Sequence, residues 1–296
     1  MTLTAADDSA PRHILTLKCP DAPGIVHTVS GALLEVGGNI LENAQFSEPE
    51  TNTFCLRTDF VSIEADPDSI KKVIGDRLVD ERDIDLSLAE LSVHPVGDRP
   101  RIMILVSKFD HCLVDLLYRW RNGGLPVDIP VIASNHLDCA DVAERYGIPF
   151  VHLPITKETK PHQEAQIKAL IDEHDVDLLV LARYMQILSD DMCRFLDGRA
   201  INIHHSFLPG FKGAKPYHQA HARGVKLVGA TAHFVTADLD EGPIIEQDVA
   251  RVGHEKTAAQ LVELGQDTER LVLSRAVRRW AEHRVFMVGD KTVVFA

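Results

Sequence analysis

The stretch "RIMILVS" at residues 101–107 is apolar at almost every position. A strand with one wet face alternates polar and apolar residues. A continuous apolar run is expected of a central strand in a parallel sheet, which is covered on both faces. The next segments agree with that placement. "HCLVDLLYRW" carries Leu113, Leu116, Leu117 and Trp120 at helical spacing, "IPVIAS" reads as a second short strand, and a helix ends at "RYGIP". "KPHQEAQIKALIDEH" places Pro161 near a helix start, with Ile167, Leu170 and Ile171 on one side. "VDLLVLA", "AINIH" and "GATAHFV" are further strands, and the strand–helix alternation predicts a doubly wound, mostly parallel sheet. "KTAAQLVELGQDTERLVLSRAVRRWAEH" reads as one long helix with a possible break near Gly265, and "RVFMVGDKTVVF" as a closing hairpin.

The chain before residue 94 has a different rhythm. "HILTLK" alternates, and "PGIVHTVSGALLEVG" has Val26, Val29 and Leu33 at helical spacing with Gly37-Gly38 as a stop. "NILENAQF" and "TFCLRTDFV" flank the turn-like "SEPETN"; "DPDSIKKVIGDRL" is a helix opened by Asp-Pro, and "DIDLSLAELSV" a last strand. The order βαββαβ is the ferredoxin-like arrangement. The prolines and glycine of "HPVGDRP" mark a break. The expected division is therefore a flexible tail at 1–12, a small domain at 13–94, a linker at 95–100 and an α/β domain at 101–296.

Composition removes several classes. A net charge of −13 without a long lysine or arginine run argues against nucleic acid or an anionic membrane as the main partner. No uninterrupted apolar stretch reaches the roughly 18 residues of a transmembrane helix, and the polar start lacks a signal peptide's pattern. Five scattered cysteines, none in a CxxC pair, are expected to be free thiols in a reducing, cytoplasmic compartment.

Chemistry concentrates at "INIHHSFLPG" and "HFVTADLDEGPII". Asn202 and His204 lie two residues apart at the end of a strand and point the same way. Asp240 lies a few residues beyond "GATAHFV", on the same sheet edge if both strands are parallel. An amide, an imidazole and a carboxylate together can polarise a carbonyl, stabilise an oxyanion and move a proton. No GxSxG serine elbow is present, so attack by water or by a substrate amine is the economical chemistry. A metal site built from His204, His205, His233 and Asp240 is a rival, although the spacing fits no named zinc motif. His218 and His221, three apart on a short helix, read as a solvated face. The loop "LPGFKGAKPYH" is long enough beside a strand end to help form a site.

"INIHHSFLPGFKGAKPYHQAHARG", "GATAHFVTADLDEGPIIEQD" and "LARYMQILS" resemble, in order and spacing, the signature of the folate-dependent formyltransferase family, over roughly residues 101–296. "HHSFLP" looks like its deformylase branch. "CPDAPGIVHTVSGALLEVGGNI" resembles an ACT domain, a small regulatory fold that often binds amino acids. The resemblance implies a formyltransferase fold that hydrolyses 10-formyltetrahydrofolate to tetrahydrofolate and formate. It implies no metal and no cofactor beyond the folate substrate, and a role in balancing one-carbon units and feeding purine synthesis. It makes Asn202, His204 and Asp240 the catalytic trio, with Asp240 positioning water and the other two holding the formyl oxygen. It places the pterin against Met185, Gln186, Ile187 and Leu188 on one side and Val235, Ala237 and Asp238 on the other. It also implies an amino-acid effector, glycine or methionine, and a homo-oligomer. The alternatives are a formyltransferase to a small amine and a non-catalytic folate or amino-acid sensor. The turn "SKFDHC" after the first α/β strand weighs against a phosphorylated acceptor, because it has no glycine to cradle phosphate and Asp110 would repel it.

Overall fold

The computed structural model describes residues 10–64, 66–209 and 216–296. The predicted tail at 1–12 and the loop "LPGFKGAKPYH" therefore lie largely outside the described residues. The chain divides into two compact units: the described residues up to Asp98 together with His283–Ala296, and Arg99–Glu282.

The first unit runs β1 (Arg12–Pro20), α1 (Ile25–Glu35), β2 (Asn39–Glu48), β3 (Thr53–Val61), α2 (Pro67–Arg82) and β4 (Glu90–Pro95). The strands form one sheet in the order β2-β3-β1-β4, and each neighbouring pair is antiparallel. This is the expected βαββαβ fold. Arg12 is part of β1 rather than of a tail: its guanidinium makes two 2.7 Å bonds to Asp59 on β3. Asp66 caps α2 by accepting from the Ser69 amide, and Pro67 opens the helix where no donor is needed. Leu15, Leu17, Leu56 and Phe60 pack with Ile25, Val29, Leu33, Ile70, Ile74 and Leu78.

The second unit runs β5 (Arg101–Val106), α3 (His111–Arg121), β6 (Asp128–Ser134), α4 (Ala140–Tyr146), β7 (Phe150–His152), α5 (Lys160–Glu173), β8 (Leu178–Ala182), α6 (Asp190–Phe195), β9 (Ala200–His204), α7 (Pro216–Ala222), β10 (Leu227–Phe234), β11 (Ile244–Arg251) and α8 (Ala258–Ala281). Its seven strands lie in the order β11-β10-β9-β8-β5-β6-β7. The pairs β9–β8, β8–β5, β5–β6 and β6–β7 are parallel. β8, buried at all five positions, and β5 are the central strands expected from their apolar runs. Strand order reverses between them, and in an open sheet ligands bind outside the carboxyl ends at such a reversal.

Three expectations need correction. β10 runs antiparallel to β9, and β11 antiparallel to β10, so "AINIH" and "GATAHFV" do not end at a common edge. α8 continues through Gly265: a Cβ there would lie 2.0 Å from the Tyr217 ring, so the glycine makes room for α7 instead of breaking the helix. The closing hairpin, β12 (Val285–Val288) with β13 (Lys291–Val294), groups with the first unit and not with residues 101–282. Its Phe286 and Val288, with Phe295, form a core with Cys55. Among the described residues, no helix is long and apolar enough to cross a membrane.

Candidate active site

Asn202 and His204 project from one face of β9, as their spacing requires. Because β10 is antiparallel, it places His233 directly opposite Asn202 and Thr231 opposite His204, on that same face. The chain after Phe234 then doubles back to enter β11. Gly242 permits this turn, because any Cβ there would meet the Phe234 carbonyl oxygen at 1.8 Å. The Phe234 amide bonds the Pro243 carbonyl, and the Val235 amide bonds the Ala200 carbonyl, clamping the loop against β9. Asp240 sits in this loop with φ +59°, a left-handed conformation that aspartate tolerates better than most residues. The loop's return over the face of β9 and β10, rather than a shared edge, brings the carboxylate to the histidine.

Asp240 Oδ1 lies 3.1 Å from His204 Nδ1 and 3.8 Å from His233 Nε2. The hydrogen bond from His204 holds the Asp240 carboxyl below its ordinary pKa, outweighing partial burial. Asp240 is therefore an ionised acceptor, and His204 Nδ1 carries a proton. His204 Nε2 is 2.9 Å from Ser206 Oγ. His233 Nδ1 lies 2.8 Å from the Phe234 carbonyl, which only accepts, so Nδ1 carries the proton. Burial lowers the His233 pKa, and its neutral Nε2 accepts from Asn202 Nδ2 at 3.2 Å. This bond fixes which way the Asn202 amide faces. Thr231 Oγ1 donates to the Ser206 carbonyl and accepts from the Leu208 amide and from Gln247 Nε2, tethering the segment just past His204.

A cleft opens beside these groups, lined by Leu181, Gln186, Ile187, Leu188, Cys193, Asn202, His233, Val235, Thr236, Ala237, Leu239 and Asp240. Gln186, Ile187, Leu188, Val235 and Ala237, which the sequence assigns to the pterin, are among its lining residues. Met185 and Asp238 do not line it. Met185 is half-exposed and borders a neighbouring hollow with His136 and Lys160, and the Asp238 carbonyl accepts from Thr236 Oγ1 within the loop. His218 and His221 on α7 are exposed, as expected.

Two features are not evident from the sequence. It offers His233 only as a metal ligand, and the place of this residue opposite Asn202 becomes clear once β10 is known to be antiparallel. The second is Glu269, fully buried on α8. Its signal is an acidic residue in the apolar stripe that includes Leu261, Val272 and Ala276. It accepts from Tyr217 Oη at 2.7 Å, lies 2.8 Å from His111 Nε2, and lies 3.3 Å from Arg183 Nε. His111, Cys112 and Glu269 are also the group of potential metal donors found among the described residues, in place of the His204–His205–His233–Asp240 set that the sequence suggests.

Comparison with known proteins agrees with this architecture. The family model described as formyl transferase matches residues 100–277, and that of the ACT domain matches residues 13–76. A relative from Corynebacterium sp. named formyltetrahydrofolate deformylase is 48% identical over 285 residues, spanning 96% of this chain and 98% of its own. The crystal structure of a formyltetrahydrofolate deformylase from Burkholderia mallei is 48% identical, covering 97% of this chain and 100% of that one with a TM-score of 0.90. A glycinamide ribonucleotide transformylase from Symbiobacterium toebii, 31% identical, covers 68% of this chain and 97% of its own with a TM-score of 0.63. An ACT unit joined to a formyl transferase unit, matched at nearly full length by proteins of one name, places this chain in the formyltetrahydrofolate deformylase family.

Proposed function

We propose that the chain hydrolyses 10-formyltetrahydrofolate to tetrahydrofolate and formate, with Asp240, His204 and Asn202 as the reacting groups. The observation that carries this reading is the convergence of an ionised carboxylate, an imidazole and an oriented amide beside a cleft. The pterin end of the substrate enters between Gln186–Leu188 and Val235–Ala237. The formyl oxygen is held by the remaining Asn202 N–H, while His204, which gives its Nδ1–H to Asp240 and faces Ser206 through Nε2, holds that carboxylate in place rather than the formyl oxygen. Asp240 Oδ1 is engaged by His204, which leaves Oδ2 to orient a water molecule and accept its proton. Water attacks the formyl carbon, negative charge grows on the oxygen facing the Asn202 N–H, and the bond to N10 breaks as N10 receives the proton that Asp240 took from the water. Preorganised donors of this kind contribute about 10²–10³ each in rate. His233 acts through Asn202 by fixing its amide.

The test is an acceptor-free assay. Enzyme, buffer and 10-formyltetrahydrofolate should give equimolar formate and tetrahydrofolate; turnover only on addition of an amine would identify a transferase, and tight folate binding without turnover a sensor.

The ACT match supports an amino-acid effector for the first unit, with glycine and methionine as the candidates. Calorimetry with each, alongside the rate of formate release, tests this: binding heat and a changed rate are expected from at least one. The same assembly is expected to be a homo-oligomer, measurable by light scattering.

A further inference from the structure

Across the sheet from the folate cleft, on the side of α3 and α8, the chain carries a second buried cluster. Arg183 comes just after the carboxyl end of β8 with φ +64°, a left-handed backbone that costs a non-glycine residue of order 1 kcal/mol or more. Its side chain is about nine-tenths buried, lies 5.6 Å over the Phe109 ring, and ion-pairs with Glu269. Among the described residues its Nη1 has no hydrogen-bond partner. Burial raises the pKa of Glu269, but His111, Arg183 and Tyr217 together hold it below its ordinary value. Four segments thus meet at one carboxylate: the start of α3, the end of β8, α7 and α8. The guanidinium also takes the position of a cation beside the His111–Cys112–Glu269 donors, and burial pushes the Cys112 thiol well up. Arg183 thus serves the buried Glu269 as its counter-ion.

The cluster connects with the catalytic face through His205. The His205 ring lies 5.2 Å from that of His204 and 6.3 Å from that of Tyr217. The cleft residues Leu181 and Cys193 belong to the core on the α5–α6 side of the sheet, whereas α3 and α8 pack together on the other. Folate and Asp240 thus take the α6 side of His204, and the Arg183–Glu269 cluster takes the α3–α8 side.

We infer that Arg183 and Glu269 are specificity-determining: by filling the space across His204 and His205 from Asp240, they deny room to the body of an amine acceptor, so that only a nucleophile as small as water reaches the formyl carbon at Asp240. This rests on the hydrolase reading. The fold accommodates proteins named as transformylases of an amine-bearing nucleotide, so a closed acceptor side must be built from residues of this chain. A buried ion pair suits that purpose. Either charge alone would be costly to bury, so the pair closes the space as a unit. Phe109, in a turn without glycine, closes the approach further.

The test is the double variant Arg183→Gly/Glu269→Gln, which removes both charges together, and, separately, Phe109→Gly at a half-exposed position. Each is assayed with 10-formyltetrahydrofolate and increasing glycinamide, measuring formate, N-formylglycinamide and tetrahydrofolate. In the diverted reaction the amine nitrogen bonds the formyl carbon, the carbon–N10 bond breaks, and the amine proton passes to N10. Wild type should give formate alone at all amine concentrations. The variants should raise the amide-to-formate ratio by about 10-fold or more, the scale on which a pocket-filling group discriminates substrates. Variants that remain folded by circular dichroism and release formate only would overturn the inference. If the double variant does not fold, the Phe109→Gly result decides. Wild type that releases no formate without glycinamide would instead defeat the hydrolase reading, so the two failures are distinct.

Discussion

Asp240 Oδ1 lies 3.1 Å from His204 Nδ1 although the two strands that precede these residues run in opposite directions. The contact exists because residues 235–243 return over the sheet face instead of continuing from its edge. Its consequences for activity and stability can be measured.

Asp240→Asn keeps the side-chain shape and removes the charge. It should nearly abolish formate release, and calorimetry should show tetrahydrofolate binding within a few-fold of wild type.

Asn202→Ala removes one donor to the developing oxyanion and should lower kcat by about 10²–10³. His233→Leu leaves Asn202 in place but frees its amide to rotate. Misplacement on the ångström scale costs about 10² in rate, so kcat should fall by roughly that factor with a smaller change in KM. Steady-state kinetics on both variants checks the ordering.

Gly242→Ala would drive a methyl group into the Phe234 carbonyl. Overpacking of this kind costs about 1–3 kcal/mol. Thermal unfolding should show the loss, and kcat/KM should fall with it because Asp240 rides on the same loop.

A pH effect is expected in the first unit. His94 and His283 stack with ring centroids 3.8 Å apart, and burial, with His94 alongside, pushes His283 down to about 4 from 6.5. Below pH 6.5 the unfolded chain binds a proton that the folded chain refuses, so stability falls as pH drops from about 6.5 to about 4 and is intact above that window. Each unit of displacement corresponds to about 1.4 kcal/mol. Denaturant titrations of wild type and His283→Phe should diverge in pH dependence within this window and run parallel above it.

Local periodicity makes most of the fold legible. Leu113, Leu116 and Leu117 identify α3, the unbroken run at 101–107 identifies β5, and alternation in "TFCLRTDFV" identifies β3. Strand direction is not legible, because apolar residues read alike in both directions; "GATAHFV" therefore passes for a parallel strand, which hides the role of His233. Gly265 looks like a helix break because its reason, the Tyr217 ring, lies 48 positions away in sequence. The hairpin at 285–294 is recognisable, but nothing local says that it packs on Cys55. Met185 and Asp238 fall in segments that border the cleft without lining it themselves. The trio itself is legible, since Asn202 and His204 share a face by alternation alone; the path that brings Asp240 to them depends on the tertiary turn at Gly242.

The most direct measurement uses water labelled with oxygen-18 and no amine. Water activated by Asp240 should place one heavy oxygen in the formate from wild type, at equal yield with tetrahydrofolate, and Asp240→Asn should release almost none. Formate lacking the label, or undiminished labelled formate from the variant, would contradict the assignment of solvent as nucleophile and Asp240 as its base.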